Sequence, residues 1–118
     1  MIKIKEASRE LTEVEQYLMT ISPAIESMKD VADGTHISVS ATLNFIDVKE
    51  ATGEESEILS ILTPDNKVYS CQSATFKRSI KDISTIMHGK EFTVIKTSGK
   101  TKAGRDYINC LLDVESLK

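Results

Sequence analysis

The chain has 118 residues, of which 40% are hydrophobic and 28% charged, and its formal net charge is −3. This length and composition predict a single domain with one modest core. No apolar run approaches the ~20 residues of a membrane-spanning helix, and the N-terminus lacks the apolar centre of a secretory signal. We therefore expect a cytoplasmic protein. Cys71 and Cys110 lie 39 positions apart, which fits two small thiols in a reducing compartment rather than a zinc site.

Charge is distributed unevenly along the chain. Residues 1–60 contain five basic and twelve acidic residues, whereas residues 61–118 contain ten basic and six acidic residues. The densest basic stretch, residues 96–105, holds four positive charges and no acidic residue. The overall acidity argues against a protein that coats duplex DNA through bulk charge. A local basic groove is compatible with it, because phosphate binding depends on the local field.

The N-terminal region has the apolar spacing of amphipathic helices. Its apolar residues recur at intervals of three and four positions: Leu11, Val14, Leu18, Ile21, Ile25 and Met28. This spacing predicts an N-terminal helical segment over residues 8–30, with Ser8 as its N-cap. Because Pro23 interrupts the pattern, we expect one helix to about Thr20 or Ile21 and a short second helix over 23–29. The stripe either packs on the protein's own core or forms a self-association surface.

Strand periodicity begins at His36. Apolar and polar residues alternate from there to Phe45, which predicts a long, half-buried strand. The alternation slips after Phe45, which predicts a bulge. Two further strands are predicted over 57–63 and 67–72, and the turn at 64–66 joins them into a hairpin.

The C-terminal half combines one helix with two strands. Ser73 is the predicted N-cap of a helix that ends near Gly89, a residue type preferred just past a helix. Strands are predicted over 90–97 and 105–114, with a basic loop between them. The order β-β-β-α-β-β over residues 35–115 predicts a mainly β fold, a small closed five-stranded OB-fold barrel. Such barrels bind ligands on strands two and three and on the 1–2 and 4–5 loops, and here the 4–5 loop is the basic one.

A resemblance to a known family rests on residues 96–107. There a strand leads into a loop rich in lysine and glycine, and Gly104-Arg105-Asp106-Tyr107 opens the last strand. In this pattern, residues 36–114 resemble the single-stranded DNA-binding proteins of bacteriophages and are similar to the lactococcal phage type. The resemblance implies sequence-non-specific binding and protection of single-stranded DNA in replication, recombination or repair, in the host cytoplasm. Expected partners are single-stranded DNA, replication or recombination proteins and, through the N-terminal helices, further copies of the chain.

Single-stranded DNA offers phosphates and unstacked bases, which proteins bind with a positive groove and flat side chains. Seven residues are predicted to provide these contacts: Lys67, Tyr69, Lys96, Lys100, Lys102, Arg105 and Tyr107. The two tyrosines are placed as stacking platforms, and the basic residues as phosphate contacts. Two alternatives are open: the basic loop is an ordinary solvated hairpin tip, or either tyrosine belongs to the core. Residues expected elsewhere are Phe45, Phe76 and Phe92 in the core, and Lys77, Arg78 and Lys81 on the solvent face of a helix.

An enzymatic function is disfavoured. Gly99-Lys100-Thr101 is similar to the end of a phosphate-binding P-loop, but Val94 occupies the position of the required earlier glycine. The stretch also precedes a predicted strand rather than a helix, and two histidines do not suggest a catalytic set. We therefore expect no catalytic residue, cofactor or metal. The alternative function is a protein-interaction or assembly subunit that uses the N-terminal stripe, and RNA is a possible ligand in place of DNA.

Overall fold

The computed structural model describes residues 1–117 and has a mainly β architecture with two α-helices. The strands are β1 (Ile2–Ala7), β2 (Glu26–Ser27), β3 (His36–Val39), β4 (Ala41–Val48), β5 (Glu55–Leu62), β6 (Val68–Cys71), β7 (Phe92–Lys100) and β8 (Asp106–Leu112). The helices are α1 (Glu13–Thr20) and α2 (Ala74–Ile86), and short 3₁₀ turns span Met28–Asp30 and Val114–Leu117. Neither α-helix in the described residues is long and apolar enough to cross a membrane.

The strands form two sheets. One has five strands in the order β1-β4-β5-β6-β2, and the other has three in the order β3-β7-β8. β2 runs parallel to β6, while the other neighbouring strands are antiparallel. The predicted hairpin over residues 57–72 is confirmed as β5 and β6, and the last two predicted strands are confirmed as β7 and β8.

The long strand predicted from His36 changes sheet at Ser40. β3 pairs with β7, whereas β4 pairs with β1 and β5, so the segment contributes to both sheets. The backbone N–H of Ser40 donates to the carbonyl of Leu62 at 2.7 Å, which fixes the crossing point. One predicted strand is therefore two.

The bulge predicted after Phe45 is wrong. β4 and β5 stay in register from Ala41 to Val48, and the irregularity lies in β1, between Ile4 and Glu6. Because the segment already bends at the change of sheet, no bulge is needed farther along β4.

The predicted closed barrel is also wrong. Within residues 1–117 no strand pair joins the two sheets. Closure would require an edge of one sheet to pair with an edge of the other. The outer edge of β6 is taken by β2, since Glu26 and Ser27 pair with Tyr69 and Ser70. The sheets consequently stay open between β6 and β8.

The N-terminal helical segment predicted over 8–30 is largely replaced by other structure. Residues 2–7 form β1, and Ser8 continues the pairing of β1 with β4. The Ser8 N–H donates to the carbonyl of Thr42 at 3.0 Å, and its Oγ accepts from the Thr42 N–H at 2.9 Å. Ser8 therefore does not cap a helix. Thr12 caps α1 instead, in a capping box with Glu15.

The short second helix predicted over 23–29 is wrong as well. α1 ends at Thr20, and the chain then forms β2 and a 3₁₀ turn. Apolar residues keep a helical spacing in this segment although it is not a helix. Ile25 precedes β2 and Met28 lies in the 3₁₀ turn, and both pack against the core. The spacing thus reports burial but not helical backbone.

α2 begins where the sequence predicts. The Oγ of Ser73 accepts from the backbone N–H of Phe76 at 3.3 Å, as an N-cap does. Phe76 and Ile80 are completely buried on the inner side of the helix. Phe45 and Phe92 are buried too, so all three phenylalanines lie in the core as predicted.

The buried apolar residues form two clusters. The larger contains Met28, Ile37, Val39, Leu59, Ile61, Phe76, Ile80, Phe92, Val94 and Cys110. The smaller contains Met19, Ala41, Leu43, Phe45, Leu62 and Val68. β5 contributes to both, since Ile61 packs in the first cluster and Leu62 in the second. This strand therefore carries a core on each of its faces.

Arg9 ties the start of α1 to the crossing at Ser40. Its Nη2 lies 2.8 Å from Oε2 of Glu15, and its Nε donates to the Ser40 carbonyl at 3.2 Å. The Glu15 carboxylate also accepts from the Thr12 N–H at 2.9 Å. These contacts, above all the hydrogen bond from Arg9, lower the pKa of Glu15 to about 2.

The Glu15 interaction predicts a defined acid sensitivity. Because its pKa lies below the ordinary value of 4.5, the carboxylate stabilises the fold fully above pH 4.5 and progressively less as the pH falls towards about 2. We expect E15Q to lower the free energy of unfolding at neutral pH by about 1–2 kcal/mol. Urea unfolding at a series of pH values should show this difference shrinking through the same window. E13Q, in the same helical turn, is the matched control, and parallel pH curves for wild type and E15Q would contradict the assignment.

Candidate functional site

A groove of about 1040 Å³ lies where the two sheets fail to close. Residues 70–73, at the end of β6, form one side, and the β7–β8 hairpin forms the other through residues 98–100 and 106–108. Ser27 and Lys29 border it from β2 and the following turn, and its remaining lining residues are Asp33, Ile58 and Lys96. Hydroxyl, amide, charged and apolar groups are therefore all within reach of a ligand. This cavity is called the groove below.

Lys96 is buried, whereas the sequence analysis predicts it as a phosphate contact. Only 4% of the residue is exposed, and its Nζ lies 3.0 Å from Oδ1 of Asp33. The other Asp33 oxygen accepts a hydrogen bond from Oγ of Ser98. The hydrogen bonds from Ser98 and then Lys96 lower the pKa of Asp33. The Lys96 ammonium thus anchors the 33–35 loop to β7. It is not among the phosphate contacts proposed below.

The other cations of this stretch are exposed at the hairpin. β7 extends through Lys100, three residues beyond its predicted end at residue 97. Lys100 borders the groove, and its Nζ is 3.8 Å from Oδ1 of the exposed Asp106. Lys102 and Arg105 lie in the turn that follows, outside the residues that line the groove.

The turn itself is ordered by backbone hydrogen bonds. The N–H of Thr101 donates to the carbonyl of Arg105 at 2.9 Å, and the N–H of Gly104 donates to the carbonyl of Thr101 at 2.9 Å. Gly104 has φ +82°, a left-handed conformation that favours glycine. The fixed turn presents its basic side chains at one end of the groove.

Tyr107 lies directly across from Gly99 in the β7–β8 ladder. A Cβ at position 99 would be 2.6 Å from Oη of Tyr107, so the tyrosine ring occupies the space over the glycine. Tyr107 is half-buried, and its neighbour Ile108 packs against the core, as the predicted alternation of β8 requires. Gly99 therefore serves to admit the ring.

Tyr69 and Lys67 do not line the groove. Tyr69 is half-buried, packs against the larger core cluster, and sits in a strand flanked by β5 and β2. Lys67 is exposed at the turn before β6. Neither lines the groove, so the structure does not bring them together with the hairpin cations.

Lys29 is the cation that the sequence did not suggest. It is exposed in the 3₁₀ turn after β2 and borders the groove together with Ser27. No local pattern marks it, because its position depends on β2 pairing with β6, more than forty residues along the chain.

Neither cysteine has an activated thiol, although Cys110 is buried and Cys71 only half-buried. Burial raises the pKa of Cys71 to about 11 and that of Cys110 to about 12, so both stay protonated near neutral pH. Among residues 1–117 no group of three or more His, Cys, Asp or Glu side chains is placed to hold a metal ion.

The sequence profile of the phage single-stranded DNA-binding protein family matches residues 12–113. The chain belongs to this family. The match extends from the cap of α1 to the residue after β8 and therefore includes the whole groove, while β1 precedes it. Searches of curated proteins and of solved structures each find no match to the chain.

The ion pair between the buried Lys96 and the exposed Asp33 predicts how this DNA-binding family member responds to substitution beside the groove. D33N leaves the buried Lys96 ammonium without its carboxylate, so we expect it to lower the free energy of unfolding measurably. The double variant D33N/K96M should recover most of this loss, because an apolar side chain of similar length needs no charge partner. Urea unfolding of the single and double variants measures both effects. Equal stability of D33N and D33N/K96M would show that the pair does not carry this role.

Proposed function

We propose that the protein binds single-stranded DNA along the groove and hairpin, without sequence preference. Its role would be to coat and protect single strands in phage replication, recombination or repair, in the host cytoplasm, acting without enzymatic activity or a cofactor. The observation that carries the proposal is the β7–β8 hairpin. This hairpin places an exposed basic turn and the Tyr107 ring beside an open groove.

Phosphates are the expected ligands of the basic side chains around the groove. Lys29 and Lys100 border it from opposite sides, and the turn residues Lys102 and Arg105 extend the positive charge beyond its end. The Lys100–Asp106 pair is exposed on both sides, and such pairs contribute little. Lys100 is therefore free to exchange its carboxylate for a phosphate oxygen.

Bases are expected to stack on Tyr107. Stacking on an aromatic ring contributes ~1–3 kcal/mol per base and tolerates any sequence, because every base has a flat face. Gly99 leaves room for the hydroxyl end of the ring, and the half-buried setting limits the entropy lost on binding. Phosphates and ring faces are common to all sequences, which supports non-specific binding.

We further infer that the fold is a single domain derived from an OB-type barrel that has opened between β6 and β8. The succession of β3 with β4, then β5, β6, α2, β7 and β8 supports this relation. In OB barrels the ligand face is formed by the second and third strands with the loop between the last two. The groove lies between the equivalents of these parts.

A second candidate function is association through α1. Val14 and Tyr17 on α1 and Ile21 at its C-cap are exposed by 67%, 49% and 63%, whereas Met19 is completely buried. The apolar stripe of the sequence is thus divided between core and surface. An assembly or protein-interaction role would use these exposed side chains, and it becomes the leading candidate if the protein fails to bind DNA.

Charge reversal at the hairpin tests the proposed site. We expect K100E/K102E to weaken binding of oligo-dT by about tenfold or more at low salt. The slope of log affinity against log salt should flatten by about 0.7 for each phosphate that the variant no longer neutralises. Fluorescence anisotropy at several salt concentrations measures both quantities, and competition by oligo-U tests the preference for DNA over RNA.

The matched control for charge is K3E/K49E. These lysines are exposed and form similarly weak pairs with Glu55 and Glu54, but they do not line the groove. We expect this control to retain most of the affinity. Equal losses in the two double variants would show that net charge, rather than the hairpin, determines binding.

Tyr107 provides an independent test of stacking. We expect Y107A to lose about 5–150-fold in affinity, which corresponds to ~1–3 kcal/mol, while Y107F keeps the ring and the affinity. The chain has three tyrosines and no tryptophan, so DNA should quench tyrosine fluorescence in the wild type and much less in Y107F. Y17A removes an exposed ring on α1 and serves as the control. Normal affinity of Y107A would exclude this ring as a platform.

A further inference from the structure

A second cavity, of about 550 Å³, lies between α2 and the outer part of the five-stranded sheet. Four lysine and arginine side chains line it: Lys5 from β1 and Lys77, Arg78 and Lys81 from α2. Two carboxylates, Glu6 and Glu57, line it as well. This cavity, called the cleft below, therefore has two more positive than negative side chains. On the same basis the groove has an excess of one, with three lysines and two aspartates.

The ion pairs of the cleft do not neutralise its cations. Lys5 and Lys77 share one carboxylate, with their Nζ atoms 2.5 and 3.2 Å from the two oxygens of Glu57. These two lysines lower the pKa of Glu57. Since one negative charge faces two ammonium groups, this part of the cleft stays positive.

The remaining two cations are the most accessible ones. Lys81 has a side chain that is 67% exposed and lies 3.7 Å from Glu6, itself 58% exposed. Arg78 is exposed and has no ion-pair partner in the described part of the chain. A guanidinium with free donors is well suited to a phosphate, which it binds through two parallel hydrogen bonds.

The lining of the cleft also contains a buried polar atom without a partner. The amide oxygen of Asn44, from β4, is buried and has no hydrogen-bond partner in residues 1–117. Such an acceptor requires a donor from a bound molecule or from water. The exocyclic amino or ring N–H group of a nucleobase is a donor of this kind.

The cleft and the groove adjoin each other along the chain. On β5, Ile58 lines the groove while its neighbours Glu57 and Leu59 line the cleft, as the alternation of a strand requires. At the start of α2, Ser73 lines the groove and Ala74 lines the cleft. A ligand that extends from the groove to the cleft would therefore pass the N-terminus of α2.

We propose that the cleft is a second nucleotide-binding site, which holds the phosphates of the same single strand after it has passed through the groove. The proposal rests on the proposed function, because the groove must bind the strand first. The strand would pass around the start of α2, and Arg78 and Lys81 would contact phosphates beyond the groove. A short oligonucleotide fills the groove alone, whereas a longer one reaches both sites.

Length dependence tests this second site. Single-strand-binding folds cover ~4–16 nucleotides per domain, so oligo-dT of about 6 and about 20 nucleotides should distinguish one site from two. We expect R78E/K81E to weaken binding of the long oligonucleotide about tenfold and to change binding of the short one less than about twofold. Both side chains are exposed, and R78A/K81A, checked by circular dichroism, repeats the test without reversed charge.

The controls separate this inference from the proposed function. K100E/K102E, in the hairpin, should weaken both lengths, and K3E/K49E, outside both cavities, should weaken neither substantially. Wild-type affinity of R78E/K81E for the long oligonucleotide would overturn the second site while leaving the groove intact. Equal losses on both lengths would overturn it too. No binding of either length by the wild type would overturn the proposed function itself.

Discussion

Two residues of β2 determine the shape of this protein. Glu26 and Ser27 pair in parallel with Tyr69 and Ser70 and so occupy the outer edge of β6. Without that pairing, β6 would present free N–H and C=O groups towards β8, and exposed edges of this kind pair readily. The short parallel strand satisfies the edge, keeps the two sheets apart and leaves the groove between them. It also brings Lys29 to the groove, so a single local pairing controls both the opening and part of its charge.

The parts of the fold that depend on local sequence are predicted well. The β5–β6 hairpin follows from alternation and the 64–66 turn, and α2 follows from the Ser73 cap and its apolar face. β1 and β2 were not predicted, because both become strands only by pairing with distant segments. β1 pairs with β4 and β2 with β6, in each case about forty residues away. The helical spacing before Met28 was misleading for the same reason, since contacts with distant strands bury Ile25 and Met28 without a helical backbone.

Lys96 and Lys100 show why the site could not be predicted completely from the sequence. Both belong to the same basic stretch, and composition alone gives them the same role. On β7, however, Lys96 pairs with the buried Cys110 and points into the structure, where Asp33 supplies its counter-charge from 63 positions away. Lys100 lies at the end of the strand, where the ladder opens into the turn. Lys96 and Lys100 lie four residues apart and so share one face of β7. They differ because the strand continues three residues beyond its predicted end and carries Lys100 past the part of this face that is buried.

The alternation of side chains along β5 explains how a small chain supports two cavities. β5 has a core cluster on each face at Ile61 and Leu62, and nearer its start it has a cavity on each face at Glu57 and Ile58. α2 borders the cavity on one face of β5, and the β7–β8 hairpin borders the cavity on the other face. The net negative charge of the chain does not oppose phosphate binding, because phosphate binding depends on the local field and each cavity is lined by more cations than carboxylates. Lys77, Arg78 and Lys81 on α2, and Lys100 in the hairpin, all come from the basic second half of the chain and concentrate positive charge on the two surfaces that face the openings.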